Sequence, residues 1–426
     1  ADQLIIGTAF IIILLLTFKY WARILVPGFD YTAFSYLNGL AIFMFPAALI
    51  TAVMFIASSG LHAKKSFLPH EIANLLAAGT LLLVIVILHN YLNIYSLGLG
   101  HILGAVIALI FILIFLIRRK IGKIGKSDFS STVIKKIFSQ SSMVIIFMLA
   151  SQLFVVVEKL LASYLPQGKI TSLSLAHMLV GAVIFAVAQP FFLVIHTDLS
   201  KIYAKGDIQE FKSKLLKIIG ALIFIFIPIA VVLFSVANPL VFILFRQGKF
   251  SLQAATDTAI AIKIFALGFL FQGMNLFFIR VMMAMQLTKK LAIISSTCWI
   301  VAMIINWIMF KQFGFIGLAI TFAFSFLLQD IFLFYAIKKR IEIATKTLTK
   351  TFIRVLSISI IIGIVIFYLA GMFDFYTSGV MNRLLNFVIL SAIIVIGGIL
   401  YLITTHFLGS PYPVLLWNIL RRRELT

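Results

Sequence analysis

The chain has 426 residues, 63% of them apolar and 11% charged, with a mean hydropathy of +1.16 and a net charge of +22. Soluble domains are roughly 45–50% apolar, so this composition excludes a soluble globular protein and indicates an all-α integral membrane protein. The basic residues lie between apolar spans and form no single patch, which argues against a nucleic-acid partner and for loops that face anionic membrane lipids.

A membrane helix needs about 20 apolar residues, at a rise of about 1.5 Å each, to cross roughly 30 Å of hydrocarbon. In chain order such runs fall at about 4–25, 36–58, 70–90, 97–117, 141–163, 172–195, 215–237, 257–279, 291–310, 315–337, 351–370 and 385–406. These predict twelve spans. No stretch alternates in the short strands of a membrane β-barrel. The chain opens on Ala1 without a basic leader segment, which reads as a start that is missing or processed.

Counting basic residues in every second connection gives a consistent side. It holds Lys64 and Lys65, then seven between Arg118 and Lys136, five between Lys201 and Lys217, and Arg280 with Lys289 and Lys290. Six more fall between Lys338 and Arg354, and Arg421 to Arg423 close the series. That side holds 26 of the 35 Lys and Arg residues. The positive-inside rule then places both chain ends in the cytoplasm.

The longest polar connection, Arg118 to Gln140, separates four spans from eight and marks the predicted lobe boundary. The predicted divisions are 1–130 with four helices, 131–340 with six, and 341–426 with a final pair and a basic tail. Ile202 to Leu216 reads as a short amphipathic helix on the cytoplasmic surface or as a plain connector. PGFDYTAF (Pro27 to Phe34) and QGKFSLQA (Gln247 to Ala254) each lead into a span that ends near a lysine doublet, a candidate internal repeat.

No enzyme signature is present. Gly98, Gly100 and Gly104 imitate a dinucleotide loop, but the spacing is GxGxxxG with no preceding strand, so close helix packing is expected. The lone Cys298 excludes an internal disulfide, and the seven histidines lack zinc spacing. Neither a metal nor a cofactor is expected.

Charges within spans carry the remaining signal, since each costs roughly 2.5–3.5 kcal/mol at mid-bilayer on insertion scales. Lys19 and Arg23 lie near the end of the first span, where snorkelling to headgroups competes with a site role. Glu158 and Lys159 are adjacent, point about 100° apart on a helix and need not pair with each other. Lys263, with Gln272 and Asn275 beyond it, suggests a helix with one polar face. Asp330 is a candidate for a cavity wall. His177, taken alone, reads as a packing or hydrogen-bonding histidine. Pro46, Pro190 and Pro228 fall inside spans or at their ends and permit bending.

Several words of the sequence resemble the MurJ/MviN family, the lipid II flippases of the multidrug/oligosaccharidyl-lipid/polysaccharide (MOP) exporter superfamily. They are VEKLLASYLPQGKITSLSLA (Val157 to Ala176), DLSKIYAKGDIQEF (Asp198 to Phe211), PLVFILFRQGKF (Pro239 to Phe250), IRVMMAMQLTKK (Ile279 to Lys290) and VPGFDYTAFSYLNGLAIFMFP (Val26 to Pro46). The resemblance implies fourteen helices in two lobes, with a final pair forming a groove toward a central cavity. It also implies that this sequence begins at the third helix, without the two that carry cavity arginines and an acid. The family usually has an arginine shortly after the small residue matched by Ala176, where this chain reads His177, Met178.

What the resemblance implies for function is a flippase of the bacterial inner membrane. Its substrate is an undecaprenyl-pyrophosphate-linked sugar, lipid II first among them, moved to the outer leaflet by alternating access and driven by a coupling ion or the membrane potential. The expected substrate contacts are Lys19, Arg23, Glu158, Lys159, His177, Lys263 and Asp330. The competing expectations are an exporter of another lipid-linked oligosaccharide and a non-transporting scaffold for cell-wall synthesis. A membrane glycosyltransferase is disfavoured because the outer loops lack acidic clusters for base or metal catalysis.

Overall fold

The computed structural model describes residues 2–63, 66, 68–119, 132–166, 168–341, 346–373, 375 and 380–413. Among them there are eleven helices and no strand. These are α1 (Asp2–Leu25), α2 (Tyr31–Ala63), α3 (Leu68–Leu92), α4 (Tyr95–Arg118), α5 (Thr132–Ala162), α6 (Lys169–Lys205), α7 (Ile208–Phe245), α8 (Leu252–Ala284), α9 (Thr288–Ile341), α10 (Lys346–Gly371) and α11 (Val380–Phe407). The 54-residue α9 is two helices joined across a kink at Gly314, whose φ of 53° and ψ of −124° are non-helical. With that break the described residues hold a helical segment for each of the twelve predicted spans. Lys64, Lys65, Lys120, Lys123, Lys126 and Arg421 to Arg423 lie outside the described residues.

The chain divides into two compact units, residues 1–138 and 139–426. In the first, α4 packs on α2 and α3. Its glycines explain how closely. A Cβ on Gly98 would lie 3.0 Å from Phe43 of α2, and one on Gly104 would lie 2.6 Å from the backbone oxygen of Ala77 in α3. Helices in lipid gain little from apolar burial alone, so small residues that let backbones approach supply the packing. GLGHILG is therefore a packing seam, as its spacing suggests.

In the second unit α8 is the central helix, flanked by α6, α7 and α9, while α10 lies on α7 and α11. Phe265, Phe269 and Phe277 of α8 and Phe224 and Phe226 of α7 are fully buried in one core. Gly268 brings α8 against the backbone of Ala323 in α9. A second cluster, Ala150, Phe154, Trp299 and Ala302, fixes α5 to α9.

Side-chain caps open the two helices that follow the candidate repeat words. Ala33 N–H donates to Asp30 Oδ1 over 2.8 Å at the start of α2, and Ala254 N–H donates to Ser251 Oγ over 3.1 Å at the start of α8. Both helices are 33 residues long. The cap, with a second bond from Thr32, holds the Asp30 carboxyl below the usual carboxylate range.

Two sequence expectations need correction. Ile202 to Leu216 is neither a separate surface helix nor a plain connector, since residues 202–205 end α6 and residues from Ile208 open α7. Gly206, in the left-handed region at φ 79°, ends α6, and Asp207 caps a new helix by accepting from Glu210 N–H over 2.9 Å. From there Phe211, Leu215, Ile218 and Ile219 recur in helical phase and are buried, so the segment is the first two turns of α7. The other correction concerns α8. Lys263 stands about 120–180° around the helix from Gln272 and Asn275, and the two sets face different neighbours. Asn275 reaches α9, whereas Lys263 enters a crevice against α7 and α10. There is no single polar face.

Candidate functional site

The polar elbow between α5 and α6 gathers three of the candidate residues. Ser163 N–H bonds back to Lys159 O over 3.0 Å as α5 ends, and Gly168, at φ 90°, turns the chain into α6. One turn apart on α6, Ser174 and His177 face the last turn of α5. His177 Nε2 lies 3.2 Å from Glu158 Oε1, and Lys159 Nζ lies 3.2 Å from Ser174 Oγ and 3.9 Å from Glu158 Oε1. Adjacent residues on α5 thus reach partners three residues apart on α6.

The electrostatics follow from position. Glu158 is 2% exposed and sits in the last turn of a helix, where the negative end of the macrodipole disfavours a second negative charge. A cation or a strong donor on each side offsets that cost. The His177 Nε2 to Glu158 Oε1 contact is one hydrogen bond, whose direction follows the imidazole tautomer. The imidazole itself is boxed by aromatic rings, with Phe265 at 4.4 Å and Phe322, edge-on, at 4.0 Å between centroids. The Lys159 side chain remains 39% exposed, and its ammonium has three donors, of which Ser174 takes one. Lys159 is therefore the open cation of the group.

A second tie closes the far side of the elbow. Lys169 Nζ meets Asp257 Oδ1 at 2.6 Å, Gln253 donates to the same oxygen over 3.2 Å, and Ser172 donates to Ala254 O over 3.2 Å. These bonds join the start of α6 to the start of α8. Sequence reasoning passed over Asp257, because Lys169 and Asp257 are 88 residues apart and only the packing of α6 on α8 brings them together.

The other expected residues are dispersed. Lys19 is exposed on α1, and the Arg23 guanidinium stands 5.3 Å from the Phe34 ring, both in the first unit. Asp330 is buried between α8 and α9, where Asn275 donates to its Oδ1 over 3.0 Å. Its Oδ2 and Gln272 Nε2 are buried without a partner among the described residues. Nearby Gln329 donates to Ser295. Asp330 and Glu158 line neither cavity described here.

The larger cavity, about 1100 Å³, runs between α6, α7, α10 and α11. Its walls are almost all carbon, with Met178, Val183, Pro228, Val232, Ile362 and Ile399 among them. Met178, which follows His177, faces this groove, while His177 faces Glu158.

Comparison with known proteins gives the lineage of this arrangement. The sequence model of the family described as Lipid II flippase MurJ matches residues 3–398. The chain belongs to that family. A probable lipid II flippase MurJ of Buchnera aphidicola subsp. Schizaphis graminum is 23% identical over 411 residues, 95% of this chain and 80% of its own length. Among solved structures, a lipid II flippase MurJ in an inward closed conformation superposes with a TM-score of 0.76 at 19% identity, over 95% of this chain and 82% of the other. An inward-facing multidrug resistance MATE family transporter of the MOP superfamily gives 0.66 at 15%, over 79% and 78%. The fold is thus that of MOP transporters. MurJ membership, with ten helices long and apolar enough to cross a bilayer among the described residues, makes this a multi-pass protein of the bacterial inner membrane.

Proposed function

We propose that the protein is a transporter and not an enzyme, and that it moves an undecaprenyl-pyrophosphate-linked sugar, most simply lipid II, from the inner to the outer leaflet by alternating access. Both chain ends stand on the cytoplasmic side in this reading. Lys159 and His177, with Glu158 holding them, receive the anionic headgroup; Lys19 and Arg23 of α1 are separate candidates for headgroup contact. The polyprenyl tail stays in the apolar groove between α6, α7, α10 and α11. The observation that carries this reading is the adjacency of His177 and Met178 on α6. One turns to a carboxylate and lysine, the next lines a carbon-walled groove of about 1100 Å³.

The physical need is plain. A sugar-pyrophosphate headgroup cannot cross hydrocarbon unaided, whereas its tail needs no escort. Outward movement of about two negative charges is favoured by roughly 2.3 kcal/mol per charge per 100 mV, inside negative. The test is reconstitution of the full chain into liposomes carrying lipid II with a fluorescent headgroup, followed by membrane-impermeant quenching. Protein-dependent loss of the protected half supports the reading. A protected fraction equal to that of empty liposomes counts against it.

A further inference from the structure

Lys263 sits where neither the elbow nor the groove uses it. It lines a separate crevice of about 650 Å³ between α7, α8 and α10, whose other walls include Phe234, Leu267, Ile360, Gly363 and Tyr368. The α7 residues of this crevice, Ile227, Ala230, Val231 and Phe234, point about 160–180° away from those of the large groove, Ile225, Pro228, Ile229 and Val232. The two cavities therefore lie on opposite faces of α7. The crevice is built by a close approach of α7 and α10: Ser235 Oγ donates to Gly363 O over 3.0 Å, and a Cβ at Gly363 would collide with Val231.

We propose that this crevice binds a monoanionic diacyl phospholipid of the surrounding bilayer, one acyl chain lying along α7 and α10 and the phosphate meeting Lys263. Three observations define the occupant. Lys263 has no ion-pair or hydrogen-bond partner among the described residues, so a single positive charge in an apolar wall asks for a single external anion. The rim residues Leu267, Ile364 and Tyr368 are exposed on membrane-spanning helices, so the opening is to lipid. The volume falls within the roughly 300–1,000 Å³ of sites that enclose small molecules. Lys263 lies eleven residues beyond Leu252, roughly 16 Å along α8 from its start. Its four-carbon stem can extend toward that end, because helical side chains lean to the N-terminus, and so bring the ammonium toward headgroup depth.

The test uses the purified full chain in a neutral detergent, with palmitoyl-oleoyl phosphatidylglycerol or palmitoyl-oleoyl phosphatidylcholine titrated in and bound lipid counted by native mass spectrometry. The wild type is expected to prefer the phosphatidylglycerol. Lys263→Gln should weaken that lipid about tenfold and leave the phosphatidylcholine unchanged, Lys263→Arg should keep the preference, and Leu267→Trp should weaken both by filling the crevice. A control variant at the start of α9, Lys289→Gln with Lys290→Gln, should bind as wild type. An undiminished phosphatidylglycerol preference in Lys263→Gln, or its loss in the control variant, overturns the proposal.

Discussion

Two acids are buried in membrane-spanning helices of the second unit, and their surroundings differ. Glu158 is 2% exposed yet touches a histidine and a lysine, and that lysine is partly open. Asp330 is 6% exposed and touches an amide, with one oxygen left without a partner among the described residues. Both arrangements join two helices, but only the first includes a partly exposed charged side chain, Lys159. Burial alone does not mark a site. What separates the two is the exposure of the acid's partner: the Lys159 side chain is 39% exposed, whereas Asn275 is 3% exposed.

Several substitutions put that contrast at risk, taken here from the largest expected effect to the smallest. Glu158→Leu strands His177 in its aromatic box and strips Lys159 of its counter-charge, and should cost about 2–3 kcal/mol in thermal or denaturant unfolding, with loss of transport. Asp330→Leu removes the acceptor of Asn275, which is 3% exposed, and should cost about 0.6–1.7 kcal/mol, the range for interhelical hydrogen bonds in lipid. Lys159→Gln, partly exposed and able to keep a bond to Ser174, should unfold within about 0.5 kcal/mol of wild type while headgroup transport falls about tenfold. Asp330→Asn keeps an oxygen for Asn275 and should change neither stability nor transport beyond about 0.5 kcal/mol. A transport loss in Asp330→Asn equal to that in Lys159→Gln would erase the distinction between the two acids.

Much of the fold is legible in the chain. Runs of about 20 apolar residues are dictated by bilayer thickness, and all twelve have a helical counterpart, with Gly314 marking the break inside α9. The glycines of GLGHILG announce a close seam because backbone approach in lipid needs small residues. The site is less legible. His177 meets Glu158 across 19 positions only because Gly168 turns α6 back along α5. Local pattern also misled in α8, where three polar residues suggested one face although their angular positions divide them. At Asp207 the cap rather than the amphipathic pattern decides, and α7 runs on from it.

The most direct measurement is lipid II exposure on the outer leaflet of cells depleted of their resident flippase and supplied with this chain, as wild type, Glu158→Gln or Asp330→Asn at matched membrane levels. The account predicts that wild type and Asp330→Asn restore exposure and that Glu158→Gln falls at least about tenfold short. Restoration by Glu158→Gln equal to that of wild type would contradict it.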